Sequence, residues 1–130
     1  MRLKLSTDWG ALMADTISLQ GLREFGYHGV FDFEKEQGQE FIVDVEIHTD
    51  FSSAVSSDDV SNTVNYADVA AIAVEGITKQ RFDLIETLAD YIAQKVLTLA
   101  GVVSVDVTVH KPQAPIQAEF ADVRVTRRLP

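Results

Sequence analysis

Residues 101–111 read GVVSVDVTVHK, and Pro112 follows at once. In extended chain successive side chains point to opposite faces, so Val103, Val105, Val107, Val109 and Lys111 share one face. Proline has no N–H to give to a ladder and ends the strand. Lys111 therefore inherits the buried face. A partly dehydrated lysine is less favourable in its charged form, which moves the amine toward use as a base. The alternative is a strand-end lysine that lays its stem along the valines and keeps its ammonium in water.

Working outward, EFIVDVEIHTDF (40–51) alternates in the same manner, with Phe41, Val43, Val45 and Ile47 on one face and Asp44, Glu46, His48 and Asp50 on the other. DTISLQGLREFGYHG (15–29) is a further strand whose apolar parity switches from Ile17 and Leu19 to Leu22 across Gln20-Gly21. One inserted residue, a β-bulge, accounts for the switch. FDFEKEQGQ (31–39) reads as a loop and SSAVSSDDVSNTV (52–64) as a Ser/Asp/Asn-rich linker. Asn65 is a good N-cap for a helix carrying Val69, Ile72, Ala73 and Ile77 at helical spacing. In DLIETLADYIAQKVLTLAG (83–101) the residues Leu84, Ile85, Leu88, Ala89, Ile92, Val96 and Leu99 form one stripe, and Gly101 suits a helix C-terminus. EFADVRVTRR (119–128) closes the chain as a fourth strand with Val123 and Val125 inward. The predicted order is β-β-α-α-β-β, an α+β fold with two helices on one face of a four-stranded antiparallel sheet. Its exposed edge strands invite side-by-side pairing with another subunit.

The chain has 130 residues, 46% of them hydrophobic, and a formal charge of -9. That size suits one domain with an ordinary core, here residues 14–130. MRLKLSTDWGALM lacks the apolar core of a signal peptide, and MADTISLQGL begins cleanly at Met13, so residues 1–13 read as an extension outside the fold. No apolar run approaches a membrane span, and a cytoplasmic location is the simplest expectation. With no cysteine, thiol nucleophiles, disulfides, iron–sulfur clusters and zinc thiolate sites are excluded. The acidic balance argues against a nucleic-acid partner and against a polyphosphate substrate, since the basic residues cluster only at Arg124, Arg127 and Arg128.

Glu86 lies in the first turn of the second helix, off its apolar stripe. Asp83-x-x-Glu86 has capping-box spacing, so its carboxylate could fold back on the backbone. The functional alternative is a carboxylate gripping a planar heterocycle with adjacent N–H donors through two parallel hydrogen bonds. Tyr66, at a helix start, is by default a packing residue. Glu34, in the run Glu34-Lys35-Glu36, is by default a solvated acid. His28, His48 and His110 have no metal-ligand spacing, and no nucleophile elbow, phosphate loop or dinucleotide fingerprint is present.

Four blocks in this order and spacing, GYHGVFDFEKEQGQ (26–39), TVNYADV (63–69), LIETLAD (84–90) and VHKPQAPI (109–116), resemble the dihydroneopterin aldolases of folate biosynthesis. The resemblance runs from Ala14 to Arg128. It implies the tunnelling fold, with four subunits joining their sheets into a ring and two rings stacking into an octamer. It also implies active sites between subunits, a pterin substrate, and neither metal nor other cofactor. Carried over by position, Lys111 becomes the proton-transferring base, Glu86 the holder of the pterin amino and ring N–H groups with help from the Ile85 backbone. Tyr66 becomes a pterin-binding and proton-transferring residue of the adjacent subunit, and Glu34 the partner of the side-chain hydroxyls. The competing implications are a dihydroneopterin triphosphate epimerase of similar fold and a non-catalytic pterin-binding ring. The zinc-dependent pyruvoyl-tetrahydropterin synthase type needs a histidine set that this chain lacks.

Overall fold

The computed structural model describes residues 15–130; the expected extension, 1–13, lies outside them. Four strands, β1 (Asp15–Gly26), β2 (Gln39–Thr49), β3 (Ser104–His110) and β4 (Arg124–Leu129), form one sheet in the order β1-β2-β3-β4, every neighbouring pair antiparallel. Strands β2 and β3 are neighbours in space but far apart in sequence. The chain between them carries the two long helices, numbered α3 (Tyr66–Lys79) and α4 (Ile85–Leu97) because two shorter ones precede them.

Alternation decides which sheet face is covered. Phe41, Val43, Val45 and Ile47 of β2 and Val105, Val107 and Val109 of β3 are at most 1% exposed, and the helices lie on them. From α3 come Val69, Ala73 and Ile77, and from α4 Ile85, Leu88, Ala89, Ile92, Ala93 and Val96, the stripes expected from their spacing. Val123 and Val125 pack against the edge of this core. The opposite face stays polar. The bulge is where the parity switch put it: Leu19 pairs with Val45 and Leu22 with Val43, and Gly21 takes the left-handed φ of 72° that the extra residue requires. Asn65 caps α3 by accepting a hydrogen bond from the Ala67 N–H at 2.9 Å.

Four local readings are corrected. The stretch read as a loop holds a short helix, α1 (Asp32–Gln37), and the serine-rich linker holds another, α2 (Ser52–Ser57), followed by a 3-10 turn at Val60–Asn62. Each spans only six residues, too few to display a periodic stripe. Helix α4 begins at Ile85, so Leu84 is its N-cap and is 49% exposed, outside the stripe to which its spacing assigned it. The helix also stops at Leu97, before the turn that carries Gly101 at φ 94°.

Candidate active site

Lys111 follows directly on β3 and is 9% exposed, on the buried side as the valine row predicts. The amine is not alone there. Its Nζ lies 2.6 Å from Oε2 of Glu34, whose side chain is 2% exposed. Taken alone Glu34 reads as a solvated acid; α1 turns it inward instead, as a site residue requires. Gly29 makes room for this, since a side chain at that position would overlap the Glu34 carboxyl group. Gln39, the first residue of β2, donates to Glu34 Oε2 at 3.1 Å, and the Phe31 N–H donates to Oε1 at 3.2 Å. Burial alone would push the Glu34 carboxyl up, but the bond from Lys111, with those from Phe31 and Gln39, holds it below the usual carboxylate range. Lys111 and Glu34 thus form a buried ion pair in which both Glu34 oxygens accept hydrogen bonds. Sequence reasoning named both residues without the contact between them, and it missed Gln39 altogether. A glutamine opening a strand carries no sequence signal of its own.

The pair sits in a cleft of about 280 Å³. One wall is Val30, Phe31 and Glu34, the opposite wall is Asp83, Leu84, Ile85 and Glu86, and the loop after Lys111 adds Ala114, Pro115 and Ile116. Among the described residues, Lys111 is the only cationic side chain lining it. At the start of α4 the N–H groups of Ile85 and Glu86 have no partner within the helix. The capping-box alternative for Glu86 is not realised: Leu84 is the N-cap and no side chain caps the helix. The Asp83 carboxylate is taken by Arg81 at 2.8 Å. Glu86 and Val125 also border a groove of about 410 Å³ between α4 and β4, so the cleft continues toward the open edge of the sheet.

The two walls are held together by a residue to which sequence reasoning gave no role. His28 is fully buried, stacked on Phe82 at 5.8 Å and edge-on to Phe41 at 5.1 Å. The Phe82 N–H donates to its Nδ1 at 3.1 Å, so Nε2 carries the proton and donates to the Ile77 carbonyl at 2.9 Å. Burial pushes this imidazole below its ordinary value, which keeps it neutral. Arg81 completes the latch, with hydrogen bonds to the Tyr27 and Gly29 carbonyls.

Tyr66 is the one expected site residue that the cleft does not include. It is 67% exposed and opens α3, whose other end holds the Ile77 carbonyl bonded to His28. Tyr66 and Ile77 are eleven positions apart along the helix, about 16 Å along the axis at 1.5 Å per residue. Among the described residues one His/Asp/Glu group is close enough to hold a metal ion, Glu46, His48 and Asp106, and it lies on the open sheet face rather than in the cleft.

With this geometry in view, comparison with known proteins is specific. The family model of dihydroneopterin aldolase matches residues 17–128. A dihydroneopterin aldolase of Streptomyces coelicolor is 46% identical over 112 residues, covering 86% of this chain and 94% of its own. That of Bacillus subtilis is 36% identical over 112 residues, covering 85% and 93%. Among solved structures, E. coli dihydroneopterin aldolase in complex with neopterin superposes with a TM-score of 0.78 at 29% identity, covering 89% of this chain and 99% of its own.

Proposed function

Since the chain belongs to the dihydroneopterin aldolase family and is a lyase of that kind, we propose that its cleft binds 7,8-dihydroneopterin and releases 6-hydroxymethyl-7,8-dihydropterin and glycolaldehyde. The observation that carries this reading is the buried Lys111–Glu34 pair, 2.6 Å apart, in the same cleft as Glu86 and the free amides of α4.

Breaking a carbon–carbon bond leaves an electron pair that needs a resting place, which aldolases commonly provide as a lysine imine or a metal ion. Dihydroneopterin carries a conjugated C=N bond beside the reacting carbon and accepts the pair itself. The protein's tasks are to orient the pterin, take the proton of the 2′-hydroxyl as glycolaldehyde leaves, and return a proton to the enamine carbon. Lys111 serves both transfers, as amine and then as ammonium, without forming a Schiff base. Glu34 receives the side-chain hydroxyls and steadies the charged form of Lys111. Glu86 holds the pterin's amino and ring N–H groups, and the Ile85 backbone assists. Tyr66 comes from the neighbouring subunit of a ring-shaped assembly, two rings stacking into an octamer; its distance from its own cleft and the edges of β1 and β4, open among the described residues, support this arrangement. Re-addition of the fragment to the other face yields dihydromonapterin as a side product. We place the enzyme in the cytoplasm.

A triphosphate substrate fits less well, because among the described residues Lys111 of the cleft is paired with Glu34 and Arg127 of the adjoining groove with Asp90. Product chromatography after incubation with 7,8-dihydroneopterin and a metal chelator tests the proposal. The two named products support it, and unreacted substrate overturns it.

A further inference from the structure

Under the site, on the open face of the sheet, a second histidine is used in the opposite way. His110 directly precedes Lys111, so its side chain points away from the cleft. Its Nε2 lies 2.6 Å from Oδ2 of Asp44 on β2, and its Nδ1 lies 2.7 Å from Oδ2 of Asp122, two residues before β4. A ring with a carboxylate on each nitrogen donates from both and is an imidazolium. The network runs on in both directions. Asp44 accepts the Gly21 N–H of the bulge at 2.7 Å, and Asp122 accepts from Arg124 Nε at 3.1 Å. It therefore reaches all four strands.

Between His110 and Asp122 lies the loop whose residues Ala114, Pro115 and Ile116 wall the cleft. One step further in, the Lys111 N–H donates to the Val123 carbonyl at 2.7 Å. We propose that His110 is a positioning residue: held between Asp44 and Asp122, its imidazolium fastens both ends of the cleft loop and so fixes the seat of Lys111. The inference rests on the reading of the cleft as the pterin site.

The charged groups around the ring are Asp44 from β2, Asp122 from the loop and Arg124 from β4; β1 presents only the Gly21 amide to Asp44. Arg23, one strand further along, is engaged by Glu40 at 3.0 Å. Burial works against the ring's charge, but the two carboxylates outweigh it and hold the imidazole above its ordinary value. With a raised folded value, the clamp is complete below the unfolded value of about 6.5 and opens as pH rises through the folded one.

The test compares the intact wild-type protein with Asp122→Asn, and with Asp44→Asn should the first not fold. Neopterin affinity is measured from about pH 6 to about pH 9, and His110 is titrated by NMR in the same samples. Titration of neopterin itself is common to all the proteins and cancels in the comparison. In wild type, affinity is expected to weaken as His110 loses its proton. In the variant both midpoints should fall together, by about one pH unit. An affinity profile that stays in place while the His110 midpoint moves overturns the positioning role, as does a wild-type His110 that titrates at or below its ordinary value. Neopterin failing to bind at any pH, with His110 titrating as described, overturns the reading of the cleft, and this inference with it.

Discussion

Lys111 and Glu34 show how little a residue's type says until its partner is known. Each is an ordinary surface residue by composition, and each is nearly buried here because the other is present. Removing one leaves an uncompensated buried charge, so Glu34→Ala is expected to destabilise the fold by about 3 kcal/mol in urea titration. Lys111→Ala leaves Glu34 uncompensated in the same way and should in addition lower turnover by about a thousandfold while pterin affinity, measured by calorimetry, changes far less. Comparable loss of both would reassign the lysine from proton transfer to binding. His28 carries a pH prediction of the opposite sign to that of His110. Its folded value is depressed, so its contribution is present above the unfolded value of about 6.5 and is lost as pH falls through the folded one. Protonation places a second N–H against the Phe82 amide. His28→Phe removes both hydrogen bonds at a cost of about 2 kcal/mol and should flatten the acid side of the urea-midpoint profile.

At the scale of elements, the features legible in the sequence were those set by periodicity or by a single bond within a few residues. The two central strands, the stripes of α3 and α4, the Asn65 cap and the bulge at Gly21 are of this kind. Gly21→Val should be harmful out of proportion to its exposure, by about 1–2 kcal/mol, because a β-branched residue resists positive φ. Thermal unfolding checks this, and Gly21→Asn should recover part of the loss. What stayed illegible depended on distant partners. Asp83 and Glu86 have capping-box spacing, yet Arg81 takes Asp83 and the box does not form. Glu34 read as solvated because its neighbours are charged, whereas its burial is decided by Gly29, Gln39 and Lys111. Four of the five expected site residues meet in one cleft, but sequence position alone could not show that two of them form an ion pair.

Among the described residues the sheet ends in two strands without an outer neighbour, β1 and β4, each able to accept a strand from another copy. Lys111 donating to Val123 sets the alternation of the β3–β4 ladder. By that alternation Val125, Arg127 and Leu129 bond to β3, while the backbone of Arg124, Thr126 and Arg128 faces outward. Thr126→Pro therefore spares the internal ladder and blocks the outer one. It is expected to shift the protein to smaller species in native mass spectrometry and to abolish aldolase activity at the same time. Full activity in a monomer would remove the case for a shared site. A further consequence follows from Tyr66 standing at the far end of α3 from its own cleft. Two separately inactive genes, one encoding Lys111→Ala and the other Tyr66→Phe, should rescue each other when expressed in one cell. With random mixing, roughly a quarter of the composite sites draw an intact lysine from one chain and an intact tyrosine from the other.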